Sequence, residues 1–112
     1  MSNGIDVRPK NWLVPVALAV LREQSTHGYE LIERLAGFGF EALNPGTLYR
    51  TLRRMENEGL CHTTWDTSNN GGRARRVYSV TPAGEAHLVS WAEGLKKCQE
   101  VLNSFFLAHA YR

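Results

Sequence analysis

Only two cysteines, Cys61 and Cys98, occur among the 112 residues. Two thiols cannot build a disulfide framework, and no CxxC spacing is present for zinc. No apolar run approaches the roughly 20 residues that a membrane span requires. The most apolar stretch, Trp12 to Leu21, is short and contains Pro15. It also lacks the charged leader and small-residue cleavage site of a secretory signal. An excess of one charge is missing too, since the formal net charge is only +2. These absences, with the chain length, exclude secreted disulfide scaffolds, membrane proteins and large multidomain enzymes. A reduced, cytoplasmic protein is expected.

What is present is a foldable composition, 43% apolar and 21% charged. It suits one domain with a modest core that a partner chain would enlarge. The charge is unevenly placed. Residues 46–80 carry Arg50, Arg53, Arg54, Arg73, Arg75 and Arg76 against Glu56, Glu58 and Asp66, a local excess of +3. All six cations are arginine, whose planar fork suits phosphates and guanine edges better than the point charge of lysine.

Residues 1–10 have no apolar periodicity and read as a flexible N-terminal arm. From about Asn11, Leu13, Val16, Ala17, Val20 and Leu21 recur at helical spacing. Pro15 is tolerable there only in a first helical turn. Ser25 or Thr26 is available to cap a second helix bearing Tyr29, Ile32, Leu35 and Ala36, which ends at Gly37 and Gly39. Asn44-Pro45 restarts a helix with a cap followed by proline at the first helical position. Leu48, Leu52 and Met55 form its buried stripe, and Gly59 is its stop.

The period then changes. Leu60 to Trp65 and Arg76 to Val80 read as short strands, joined by the turn-forming run Asp66-Thr67-Ser68-Asn69-Asn70-Gly71-Gly72. Thr81-Pro82 opens a last helix expected to run almost to the C-terminus. The expected fold is mainly α with a small β-hairpin, a winged helix-turn-helix over residues 11–81 followed by a long dimerisation helix over 82–112.

That helix carries Leu88, Trp91, Leu95, Cys98, Leu102 and Phe105 at alternating spacings of three and four, the a/d pattern of a heptad. Val101 and Phe106 widen the stripe. Three short helices cannot cover so long an apolar face, and exposing it would leave a patch larger than monomers tolerate. A homodimer built on Leu88, Trp91, Leu95, Cys98, Leu102, Phe105 and Phe106 is expected.

In a helix-turn-helix the N-terminal residues of the second helix meet base edges in the major groove. Here those positions hold Asn44, Gly46, Thr47, Tyr49 and Arg50, with Arg53 and Arg54 extending a basic face opposite the buried stripe. Gly46 permits close backbone approach, and a helix N-terminus attracts phosphate. Arg73, Arg75 and Arg76 flank the glycine-rich hairpin tip, as expected of a wing that lays cations along a DNA backbone or into a minor groove. The expected partner is double-stranded DNA, read as a palindromic operator by a two-fold dimer.

Four ordered runs carry a family resemblance. They are His27-Gly28-Tyr29-Glu30-Leu31, the run from Pro45 to Glu56, Glu58-Gly59-Leu60, and the run from Arg76 to Gly84. Together they resemble the PadR family of transcriptional regulators, over roughly residues 12–95. The resemblance implies a winged helix with a dimerising C-terminal helix, usually a repressor released by a small molecule. It also adds His27 and Tyr29 to the DNA-binding candidates. The link from Gly37 to Leu43 and the aromatic Ser104-Phe105-Phe106 depart from the family pattern. With the run from Lys10 to Pro15 and Trp65-Asp66-Thr67, they are similar to the polyhydroxybutyrate-responsive repressors within the family.

Two other classes compete. An enzyme would have to use Cys61, Cys98, His27, His62, His87 or His109. Cys61 and His62 are strand neighbours that face opposite ways, and Cys98 falls in the heptad stripe. No carboxylate pair, phosphate loop or metal spacing accompanies them, so no catalysis, metal or cofactor is expected. A winged helix used only for protein contacts or sensing is the second alternative, distinguished by the absence of salt-dependent DNA binding. A hydrophobic or aromatic small-molecule effector would have to use the dimer helix and its neighbours. Trp12 and Trp91 are the candidate lining, with a plain core role as the alternative.

Overall fold

Apolar residues crowd the first helix, α1 (Leu13–Glu23), on more than one side. Val14, Pro15, Val16, Ala17, Leu18, Val20 and Leu21 are all buried. The expected single stripe is therefore too narrow. A helix apolar all round is a central helix, and α1 packs against helices α2 (Gly28–Ala36), α3 (Pro45–Asn57) and α4 (Pro82–Ala110). Pro15 falls in the first turn, where its missing N–H costs nothing. The computed structural model describes residues 11–40, 43–67 and 74–110. The expected arm at residues 1–10, part of the link before α3, the hairpin tip and Arg73 lie outside the described residues.

The remaining elements are strands β1 (Thr26–His27), β2 (Cys61–Asp66) and β3 (Arg75–Val80). They form an antiparallel sheet in the order β1-β3-β2. The hairpin expectation was incomplete, because β1 adds a third strand with Thr26 opposite Tyr78 and His27 opposite Val77. Thr26 accordingly belongs to the sheet and does not cap α2. His27 occupies the cap position, without a side-chain cap hydrogen bond. The arrangement is a winged helix-turn-helix, mainly α, with a long C-terminal helix.

Local chemistry fixes where the helices stop and start. At the end of α3, Gly59 takes φ +78°. Its N–H reaches the Glu56 carbonyl at 3.0 Å, and the Leu60 N–H reaches Met55 at 2.8 Å. This hydrogen-bond pair is a Schellman closure, which needs a residue tolerant of positive φ. Next, Thr81 caps α4: its hydroxyl oxygen accepts from the Gly84 N–H at 3.0 Å and its hydroxyl donates to the Gly59 carbonyl at 2.5 Å. Gly84 lies so close to the Leu60 carbonyl and Val80 that a Cβ would collide with both. The base of α4 is thereby locked to the end of α3.

Beyond that base, α4 leaves the domain. Gly84 is its one buried residue among those described, and Leu88 packs against the core. Helical rise over 29 residues gives a rod about 43 Å long. The Cα radius of gyration is 17.0 Å, against about 13 Å for a compact domain of about 100 residues. No helix among the described residues is long and apolar enough to cross a membrane.

Candidate nucleic-acid interface

The site begins at the entry to α3. Asn44 Oδ1 accepts from the Gly46 N–H at 2.7 Å, satisfying one of the helix's unpaired N-terminal donors, and Pro45 occupies the first turn. Leu48, Leu52 and Met55 are buried, which turns Gly46, Thr47, Tyr49, Arg50 and Arg53 outward. Arg50 donates to the Thr47 hydroxyl at 3.3 Å. Arg54 is also exposed. Asn44 thus has a structural duty as cap as well as its exposed place at the helix entry.

Tyr49 is seated by a neighbour. A Cβ on Gly28 would lie 2.6 Å from both the ring and the hydroxyl of Tyr49. Glycine in the first turn of α2 therefore lets the two helices of the motif approach, and fixes where the tyrosine ring rests. Tyr29, beside it in sequence, is 73% exposed.

His27 is less available than its place in the sequence suggests. Its Nε2 stands 3.3 Å from Asp66 Oδ2, and Nδ1 is 4.0 Å from Glu30. It joins α2 to the end of β2. Thr26 donates to the same Glu30 carboxylate at 2.5 Å.

The wing strands divide the remaining arginines. Trp65 pairs with Arg76 and Asp66 with Arg75. Alternation sends Arg75 and Arg76 to opposite faces of the sheet. Arg76 shares its face with Cys61, Thr63 and Tyr78, which turn toward α3. Its guanidinium donates to Thr63 at 3.3 Å, lies 3.7 Å from Glu56, and stands 5.8 Å from the centroid of the Trp65 ring. Glu56 in turn accepts from the Thr63 hydroxyl at 3.0 Å. Tyr49, Arg53, Glu56, Arg76 and Tyr78 line a notch of about 340 Å³ where α3 meets β3. In the sequence Glu56 stands out only as a charge and as the end of the family-like run from Pro45; its meeting with Thr63 and Arg76 depends on strand register that no local spacing reveals.

Below the notch the site becomes core. Burial, reinforced by the Glu56 carboxylate, pushes the Cys61 thiol up to about 11. The thiol faces the Leu52 carbonyl at 3.9 Å. Burial likewise raises the Tyr78 phenol. A neutral, buried thiol of this kind is a poor nucleophile.

The PadR-like family of transcriptional regulators matches residues 17–90, which include both helices of the motif and both wing strands. The chain belongs to that family. Its members are transcriptional regulators and not enzymes. The chain is 41% identical over 81 residues to the transcriptional regulator Rv3488 of Mycobacterium tuberculosis, covering 71% of this chain and 73% of that protein. A PadR-like transcriptional regulator from Bacillus cereus has a similar crystal structure, with a TM-score of 0.78 at 26% identity over 87% of this chain and 93% of that one. Bacillus subtilis PadR, solved in complex with operator DNA, shares the fold at a TM-score of 0.65 and 20% identity, over 75% of this chain and 48% of its own.

The C-terminal candidates occupy a different region of this PadR-family chain. Leu88, Trp91 and Leu95 are half-buried, whereas Cys98, Leu102, Phe105 and Phe106 are exposed along α4. Phe105 meets Phe106 edge to face and stacks on His109. Trp12 lines a groove of about 670 Å³ with Ala92, Leu95, Gln99 and Leu102. Trp91 lines another, of about 440 Å³, with His87, Ser90 and Gly94. Among the described residues the two tryptophans line separate grooves, both of which include Leu95 and Cys98.

Proposed function

We propose that this PadR-family regulator is a cytoplasmic homodimeric repressor that binds a palindromic operator and releases it when a hydrophobic or aromatic molecule binds. The observation that carries the DNA-binding reading is the exposed, Asn44-capped entry of α3. It presents Gly46, Thr47, Tyr49 and Arg50 beside a wing that bears Arg75 and Arg76. Such a helix end offers unpaired N–H groups to a phosphate while its side chains reach base edges. Arg53 and Arg54 extend the cationic surface, and Arg73 belongs to the same reading of the wing. The operator complex of Bacillus subtilis PadR supports this use of the fold.

The dimer reading is supported by the aromatic and aliphatic face of α4, with Leu102, Phe105 and Phe106 about half exposed or more. A second copy laid along it would cover Leu95, Cys98 and Leu102. The effector reading is supported by the grooves beside Trp12 and Trp91, which a partner helix would roof into a deeper apolar site. Similarity of Trp65-Asp66-Thr67 and Ser104-Phe105-Phe106 to the polyhydroxybutyrate-responsive repressors agrees with an apolar effector.

Selection of bound sequences from random duplexes tests the DNA-binding core of the proposal. The expected result is an inverted repeat with half-sites about one helical turn apart, bound more weakly as salt rises. Recovery of no preferred sequence, with equal affinity for every duplex, would reject it.

A further inference from the structure

Trp65 is 65% exposed, on the face of β2 that turns toward α3. Among the described residues it is left largely uncovered, and an isolated core role does not explain it. Its ring nonetheless has a neighbour on one side. Arg76 lies opposite it across the strands and approaches its ring, and Arg76 is itself held by Glu56 of α3 and Thr63 of β2. One side of the indole is thus backed by a cation while much of its surface stays open.

The surroundings say what fits that surface. The outward residues of α3 run from Gly46 through Tyr49 and Arg50 to Arg53, and the notch at Arg53 continues directly onto Arg76. Trp65 is the far end of this cationic strip. Deoxyribose presents a flat apolar edge that covers an indole, and the phosphates on either side of it suit the flanking arginines. The indole N–H is a donor only, which matches a phosphate oxygen and no cation.

We propose that Trp65 is a DNA contact, packing on the sugar–phosphate backbone where the wing root meets the duplex, with Arg76 as its positioning residue. The inference rests on the DNA-binding reading above. Because the indole is uncharged and reads no base edge, its loss weakens all sequences alike without altering counterion release.

The test uses the full chain and two probes, the selected operator duplex and a random duplex of the same length. Trp65→Ala should weaken binding to both by about tenfold, with an unchanged slope of log affinity against log salt. In parallel, acrylamide quenching of the wild-type protein should fall when duplex saturates it, and most of that fall should vanish in Trp65→Phe. The conservative variant keeps a ring in place, so this reading survives if the alanine variant does not fold. Unchanged affinity in a folded Trp65→Ala, a changed base preference, or full protection retained in Trp65→Phe would each overturn the inference. If the wild-type chain binds neither probe, it is the DNA-binding reading that fails.

Discussion

At Gly28 the absence of a side chain sets the position of another one twenty-one residues away. A methyl group there would strike the tip of the Tyr49 ring, the free end of a flexible side chain that can swing aside at small cost to the fold. Gly28→Ala should therefore change unfolding free energy by no more than about 1 kcal/mol. Its effect on operator affinity should be larger and resemble that of Tyr49→Ala, a loss of roughly 1–3 kcal/mol if the ring reads a base. Urea unfolding and operator titration of the same sample separate the two effects. Equal operator affinity in the alanine variant would show that the ring's seat is irrelevant to binding.

Cys61 gives a second prediction at this scale. Its thiol titrates at about 11 in the folded chain, against an ordinary value of 9.0. Below pH 9 both states hold the proton, so the contribution to stability is complete there. Between pH 9 and 11 the unfolded thiol ionises while the folded one does not, and stability falls by up to about 1.4 kcal/mol per pH unit. Urea midpoints at pH 8 and pH 10.5 should show this fall. Cys61→Ala should make the fall smaller while lowering stability at pH 8.

Among the elements, those with chemically marked ends were legible in the sequence. Asn44-Pro45, Gly59 and Thr81-Pro82 announce the limits of α3 and the start of α4, because caps and positive φ are local demands. Asn44→Ala should cost about 1 kcal/mol through loss of the cap, measurable as a lower thermal midpoint. Leu52→Ala, on the buried side of the same helix, should cost roughly 2–5 kcal/mol. Elements defined by distant partners were not legible. The two residues of β1 have no periodicity to detect and become a strand only because β3 lies beside them. The all-round burial of α1 follows from α2, α3, β3 and the base of α4 packing around it, which no window of residues contains. At the candidate interface, the tethering of His27 to Asp66 and the meeting of Arg76 with Thr63 and Glu56 arise from strand register in the same way. Residue types pointed to the surface, but their neighbours depended on topology.

Over the whole molecule, α4 couples what the domain reads to how two domains would be spaced. Its base is fixed to the wing and α3 through Thr81 and Gly84, which gives the proposed effector response a rigid connection from the rod to the recognition helix. In a two-fold dimer built on α4, Leu95 and Cys98 lie in the seam, and the recognition helices stand about 34 Å apart to meet successive major grooves. A charge placed in that seam is left without a partner, which opposes association strongly. Leu95→Glu should consequently give a monomer by light scattering while keeping the helical circular dichroism of the winged domain. In such a dimer the partner helix covers Cys98, so Cys98 should react faster with a thiol reagent in that variant than in the wild-type protein. Affinity for a single half-site should be little changed, whereas affinity for the full inverted repeat should drop toward the half-site value, since two linked contacts have become one. A Leu95→Glu chain that remained dimeric, with Cys98 as slow to react as before, would move the interface off α4. The grooves at Trp12 and Trp91, proposed above to hold an effector, would then lack a partner helix to close them.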